Sequence, residues 1–368
     1  MTSRERVLVA MRRREPDRVP FDLSFDISPA KLDEFRRRTG STASPEEYFG
    51  ADTRMIRLGP SRIETDFSPW LGSLSPGAAV DEWGIGRTPT SSTDRAHAHL
   101  DGFVHPLRNA RTDAAILDYP FPDIDADYRY EAPRSAIRAV QEAGLTAVAM
   151  MECTIFETAW FLRGMEGLLL DFADGSSAAA ALLDAITARR IVQARRYAEL
   201  GADVLSMGDD VGTQRGMLMS VRMWRGWLKP RLQRVIAAAR EVRPDVLVFY
   251  HSDGNMAAII PDLIEIGVDI LNPVQPECMD PAELKRLYGD RLSFWGLIGT
   301  QRLLPFGTPA EVAADVRLRI ETVGRGGGLF LAPTHVIEPE VPFENIVAFV
   351  EAVAGAGSGL SKRPRRSG

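Results

Sequence analysis

Only two cysteines stand in the 368 residues, Cys153 and Cys278, far apart and with no CxxC spacing. Their scarcity leaves a reduced, cytoplasmic compartment as the simplest reading. Long apolar runs are also missing. The longest fall far short of the ~20 residues that span a bilayer. The N-terminus, MTSRERVLVAMRRREPDRVP, is charged throughout, which excludes a signal-peptide reading. Positive charge is not in excess. Lysine and arginine number 44 against 50 aspartates and glutamates, a net charge of −6, which argues against a nucleic-acid or anionic-membrane partner. The one basic cluster, Lys362, Arg363, Arg365 and Arg366, reads as a disordered tail over 356–368. No glycine-rich nucleotide fingerprint follows the first strand, which weakens a doubly wound sheet. GRGGG at 324–328 precedes a strand instead of linking strand to helix, so it reads as a tight turn and not a phosphate loop.

What is present is ordinary for a globular enzyme: 45% hydrophobic and 26% charged residues. Short, nearly continuous apolar runs alternate with helical patterns. The runs are 145–151, 202–208, 246–250, 268–274, 292–298 and 328–333, preceded by 19–25 and 53–59. Helical spacing of apolar residues marks 221–242, and 308–323 reads as a second helical stretch. Strands apolar on both faces belong to a parallel sheet covered on both sides. Eight such units predict a TIM-type (β/α)8 barrel forming one domain over 1–355. The segment at about 60–122 breaks the rhythm. It is rich in proline, glycine and serine, holds His97, His99 and His105, and reads as a long insertion after the second strand.

In a barrel, residues at the carboxyl ends of the strands face the active site. Polar groups recur there: Glu152; Asp209 and Asp210, then Gln214 and Arg215; His251 and Asp253; Asn272 and Gln275; Thr334 and His335. Asp and Asn after a strand often cap the next helix, and a lone His is often structural. The pair His251 and His335 should nevertheless share one rim. His251-x-Asp253 projects both groups to one face of an extended strand. With His335 they form a His/Asp/His set that suits zinc or another first-row divalent ion. Without metal, the same groups could move protons.

At these residues the sequence resembles the uroporphyrinogen decarboxylase superfamily. The resemblance is carried by RERVLVAMRRREPDRVPFD, by FYHSDGNMAAIIPDLIEIGVDILNPVQPE and by FGTPAEVAADVRLRIETVGRGGGLFLAPTHVIEPEVPFENI, in that order. It implies a TIM barrel. True decarboxylases of the family bind substrate carboxylates with an N-terminal arginine motif and carry an essential Asp after an early strand. Here the first region reads VPFDLSFDISP, without arginine, and Gly59 stands at the second position. Uroporphyrinogen therefore lies outside the expected substrates. His335 matches a substrate-contacting His of the decarboxylases. The family's zinc methyltransferases carry His-x-Cys-Gly and a later Cys; His251-x-Asp253-Gly254 matches the first with Asp for Cys, and His335 falls at the later position. Gly299 stands where many relatives have Asp.

These observations lead to a metal-assisted, methyltransferase-like enzyme acting on a small methoxylated or carboxylated substrate. His251, Asp253 and His335 are expected to hold the metal, zinc in the first place. Asp210, Glu152 and His335 are expected to be catalytic, and Gln214, Arg215, Asn272 and Gln275 to bind substrate. Arg215 would pair with a carboxylate. A corrinoid on a partner protein is the methyl acceptor that the resemblance implies, and a homodimer is one expected assembly. The alternative is a metal-free decarboxylase, a lyase, of a small carboxylic acid.

Overall fold

The structure is a computed structural model that describes residues 1–23, 27–88, 102–151 and 153–359, with side chains to residue 356. The apolar runs become strands. β1 (Thr53–Ile56) precedes three two-residue strands, β2 (Ala79–Val80), β3 (Gly86–Arg87) and β4 (Phe103–Val104). Then come β5 (Thr146–Met151), β6 (Val204–Gly208), β7 (Leu247–His251), β8 (Ile270–Asn272), β9 (Ser293–Ile298) and β10 (Leu329–Pro333). Seven of them form one parallel sheet in the order β1-β5-β6-β7-β8-β9-β10. Every residue of β5, β6, β9 and β10 is buried, because helices cover one face and the sheet curls over the other.

The expected first strand behaves differently. Of residues 19–25, the described part contributes a single bridge, Phe21 with Leu331, while residues 24–26 lie outside the described residues. That bridge spans the two edges of the sheet. Asp22 N donates to Leu331 O, Leu331 N donates to Pro20 O, and Asp52 N donates to Phe21 O at 3.0–3.1 Å. Pro20 has no N–H to give a ladder, which limits pairing at this point.

Inside the ring, Val148, Met150, Phe249, Ile270, Trp295 and Phe330 form one apolar cluster. Trp295 stacks on Phe330 with centroids 3.5 Å apart and meets Phe249 edge-on at 5.3 Å. Val7, Ala10 and Met11 of the helix Ser3–Met11 join the cluster, all three fully buried. Ala10 O accepts from Gly328 N, and Met11 O accepts from the Ser293 hydroxyl, so this helix plugs the end where β9 and β10 begin. The carboxyl ends of the strands are left as the open mouth, the usual place for chemistry in this architecture.

Between β1 and the helix Glu131–Glu142 the chain forms the antiparallel sheet β2-β3-β4. His97 and His99 lie outside the described residues. His105 is half-buried and its Nδ1 lies 2.7 Å from Phe161 O, a satisfied structural position. The helical pattern at 221–242 divides into Val221–Trp227 and Lys229–Val242, because Pro230 removes an amide donor and fits only a first turn. The last helix, Phe343–Gly359, runs past residue 355, where the tail was expected to begin. At 324–328 the reading of a tight turn agrees with the backbone: Gly326, Gly327 and Gly328 have φ of 77°, 88° and 79°.

Two buried aspartates tie the N-terminal segment to β1. Asp52 accepts from Arg6 (2.9 Å), from Arg18 (2.7 and 2.9 Å) and from Phe21 N (2.9 Å). Asp22 accepts from the Thr53 hydroxyl and from Leu23 N, with no cation in that set. Burial therefore dominates and pushes its carboxyl up to about 7, against the two hydrogen bonds. A folded-state value above the unfolded one favours folding with the group neutral. That stability is complete below the ordinary carboxyl range and is lost as pH rises through about 7. The ceiling is on the order of 4 kcal/mol. The melting temperature should fall between about pH 4 and about pH 7, and Asp22→Asn should flatten the fall. Parallel pH profiles for the two proteins would remove Asp22 as the cause.

Candidate active site

β6 and β7 are neighbours, with Gly208 opposite His251. Gly208 has no room for a side chain: a Cβ there would lie 2.5 Å from that of His251. The glycine thus lets the imidazole stand at the mouth beside the next strand. The ladder continues one step past β7, where Ser252 N donates to Asn272 O at 3.0 Å. Beyond it, Asp253 N donates to Asp210 Oδ1 at 2.7 Å. This bond draws the end of β6 against the end of β7.

The imidazole is held in one tautomer. Trp295 O, a carbonyl, can only accept, and Asn272 Nδ2 donates to it at 2.9 Å. The amide oxygen of Asn272 must then face His251 Nδ1, 2.6 Å away. Nδ1 accordingly carries the proton, and in neutral His251 the lone pair lies on Nε2. Nε2 lies 3.5 Å from Asp210 Oδ1 and 3.8 Å from Asp253 Oδ1. Asp253 Oδ1 is buried and has no hydrogen-bond partner among the described residues. One ligand atom from each of Asp210, His251 and Asp253 lies within 4.8 Å of the others, the one such group of three or more among the described residues. Ligands bound at roughly 2.1 Å in a tetrahedron stand roughly 3.4 Å apart, so the three need only a small contraction to hold an ion. An unpartnered carboxylate oxygen, a carboxylate and an imidazole lone pair, converging, fit a divalent cation.

Charge is concentrated around this group. Burial raises the Asp253 carboxyl above its ordinary range; His251 and His335 oppose that shift and Asp210 adds to it. Glu157 is raised well above its ordinary value by burial first, and then by Asp210 and Asp209. Its Oε2 accepts from Asp210 N at 3.1 Å. Asp209 is buried and raised to about 6 by burial, against bonds from the amides of Glu157, Ile155 and Phe156. Its role is the bland one: it caps the helix Phe156–Arg163.

A cavity of about 280 Å³ opens at this mouth, lined by Arg57, Cys153, Glu157, Asp210, His251 and His335 among others. The residues expected from sequence distribute as follows. Asp210, His251 and Asp253 meet. His335 departs from the expected ligand set: its Nε2 reaches Asp253 Oδ2 at 3.9 Å, half-exposed, but it is not in the group that one ion could share. The reason is topological, since β10 lies three strands round from β7 while β6 is adjacent. Asp210, expected as a catalytic residue, occupies the third ligand position. Glu152 lies outside the described residues.

The four residues expected to bind substrate are not in the cavity lining. Asn272 is buried behind His251. Gln275 is buried too and accepts from Gly254 N at 2.7 Å. Gln214 and Arg215 sit on an exposed turn in which Thr213 Oγ1 accepts from Arg215 N and Gly216 N, each at 3.2 Å. Gln214 Oε1 accepts from the Cys278 thiol at 3.1 Å. Two charged lining residues were missed. Arg57 follows β1 at the spacing that faces the interior, a signal present in TRMIRLG. Glu157 belongs to the first turn of a helix and faces back, which no local pattern reveals.

Two positions that set the chain apart from its resemblance are also explained. A Cβ at Gly59 would lie 2.8 Å from Arg129 O, so the backbone there is packed against its neighbour and leaves no place for an acid. At Gly299 the carboxylate of Glu277 occupies the space a side chain would need.

Against known proteins, the family model described as "Uroporphyrinogen decarboxylase (URO-D)" matches residues 103–356, more than half of the chain. Among solved structures, a methyltransferase from Methanosarcina mazei superposes with a TM-score of 0.67 at 21% identity, covering 96% of this chain and 99% of that one. A B12-independent methionine synthase from Shewanella sp. W3-18-1, in complex with selenomethionine, gives a TM-score of 0.43 at 11% identity over 63% of this chain and 67% of that one. No curated protein matches the sequence. No helix among the described residues is long and apolar enough to cross a membrane.

Proposed function

Since the chain belongs to the uroporphyrinogen decarboxylase family, we propose that it is an enzyme of the methyl-transferring kind, which binds one divalent metal ion through Asp210, His251 and Asp253. The observation that carries this reading is the tautomer lock: Trp295 O fixes Asn272, and Asn272 fixes His251 with its Nε2 lone pair toward two carboxylates. Metal-binding histidines commonly have such a partner on the other nitrogen. Two carboxylates and one imidazole make a harder donor set than the thiolates of zinc methyltransferases. It suits zinc and equally other first-row ions. When bound, such an ion acts as a Lewis acid toward an oxygen of the substrate.

The protein's own groups complete the site. Asp210 and Asp253 supply the negative charge, and Glu157 holds the Asp210 amide in place. His335, half-exposed at the rim, is placed to give or take a proton at Nε2. The reaction class is removal of a methyl group from an oxygen-bearing small substrate, with a corrinoid on a partner protein as the acceptor. The fold likeness to the M. mazei chain supports the architecture, and the chemistry rests on the site.

Asn272→Leu tests the lock. It keeps the three ligands but frees the imidazole, and should weaken zinc binding by about 10–100-fold. Competition titration against a chromophoric chelator reads the constant. An unchanged constant would reject the proposed role of Asn272 and with it the lone-pair argument.

A further inference from the structure

The metal set accounts for one end of the cavity. Building on the reading above, we propose that Arg57 anchors a carboxylate of the substrate, which makes the substrate class a small organic acid with an apolar body. Arg57 lies two residues beyond Met55, which packs against the cluster inside the barrel. Alternate residues of a strand share a face, so Arg57 continues the interior row out of the core and into the mouth. There it is solvent-exposed and lines the same cavity as Asp210, His251 and His335. It is the only lysine or arginine in that lining among the described residues. A guanidinium carries five N–H donors in a rigid fork, so it can keep a neighbour in the protein and still present an edge to a carboxylate.

The support under Arg57 is firm. Two residues on, Gly59 N donates to Arg129 O and Arg129 Nε donates to Gly59 O, both at 2.9 Å. Arg129 is itself buried and held by Glu82 at 2.7 Å. The segment that leaves β1 is thus pinned two residues beyond Arg57, so Arg57 stands between a strand and a fixed point. Met207 and Val336 give the same cavity apolar wall, which an uncharged carbon body would cover. Arg215, expected from sequence to pair with a carboxylate, is on the exposed turn and outside this lining.

A pair of probes with one shape and different charge tests the proposal: cyclohexanecarboxylate and cyclohexanecarboxamide, titrated calorimetrically into the full-length protein. The titrations are run on metal-free and zinc-loaded samples of wild type, Arg57→Met and Arg57→Lys. The wild type is expected to prefer the acid at least about tenfold in both samples, since a charge-assisted pair is involved. Arg57→Met should lose the preference and Arg57→Lys should keep part of it, while zinc affinity stays unchanged in both. An acid preference that survives Arg57→Met, or no preference in the wild type, overturns the proposal. Failure of the wild type to bind zinc overturns the metal reading alone, because the metal-free titrations still report on Arg57.

Discussion

Asp253→Ala is expected to reduce bound zinc from about one ion per chain to almost none, with the fold intact. Asp253 contributes an oxygen that is buried and has no hydrogen-bond partner among the described residues. Removing it deletes one of three ligands and half of the negative charge that Asp210 and Asp253 supply. The remaining pair has no closed geometry for the ion. The cost to folding is small, because the mutation also removes a carboxyl that burial holds in an unfavourable setting. Asp253→Cys should retain the ion with a stronger preference for zinc, since a thiolate is the softer donor. Elemental analysis of the three proteins, beside thermal melting, decides. Equal metal in wild type and Asp253→Ala would favour a metal-free decarboxylase instead.

Arg190→Met is expected to cost the fold roughly 3–5 kcal/mol. Arg190 lies on the helix Ser177–Glu199 and is 6% exposed. It donates to Thr154 O (2.9 Å), Cys153 O (3.0 Å), Gln193 Oε1 (2.8 Å) and Thr158 Oγ1 (3.2 Å), and lies over the Trp83 ring at 5.3 Å. Two of these acceptors, Cys153 O and Thr154 O, belong to the turn that leaves β5, in which Cys153 has a φ of 51°; Thr158 lies on the helix that follows and Gln193 on the helix of Arg190 itself. Asp209 holds the amides of the same turn from the other side. Losing the guanidinium takes a buried donor from Thr154 O and from Gln193 Oε1, while Cys153 O keeps the Thr158 hydroxyl, and each such loss costs about 1–3 kcal/mol. Arg190→Lys should recover only part, because an ammonium cannot reach a forked set of acceptors. Urea unfolding measures both. A loss below about 1 kcal/mol in Arg190→Met would mean that water replaces the guanidinium at little cost.

The sequence made the ring of strands legible because parallel strands buried on both faces leave unbroken apolar runs, as in β5 and β9. It made His251, Asp253 and Asp210 legible for a related reason: polar groups that end such runs must face the mouth. It could not say which strand ends touch. The choice between Asp210 and His335 as third ligand depends on the order β6-β7 in space, and a local pattern carries no such order. Asn272 was legible as a polar residue at the mouth but not as the partner of an imidazole across two strands. Gln214 and Arg215 misled because nearness in sequence to a strand end was taken for nearness in space. The Thr213–Gly216 turn carries both out to solvent.

Anomalous scattering at the zinc edge from a crystal grown with the metal tests the central claim most directly. One peak is predicted, within roughly 2.1 Å of His251 Nε2 and of one oxygen from each of Asp210 and Asp253. An empty site at saturating zinc, or an ion that leaves any of these three residues unbound, would contradict it.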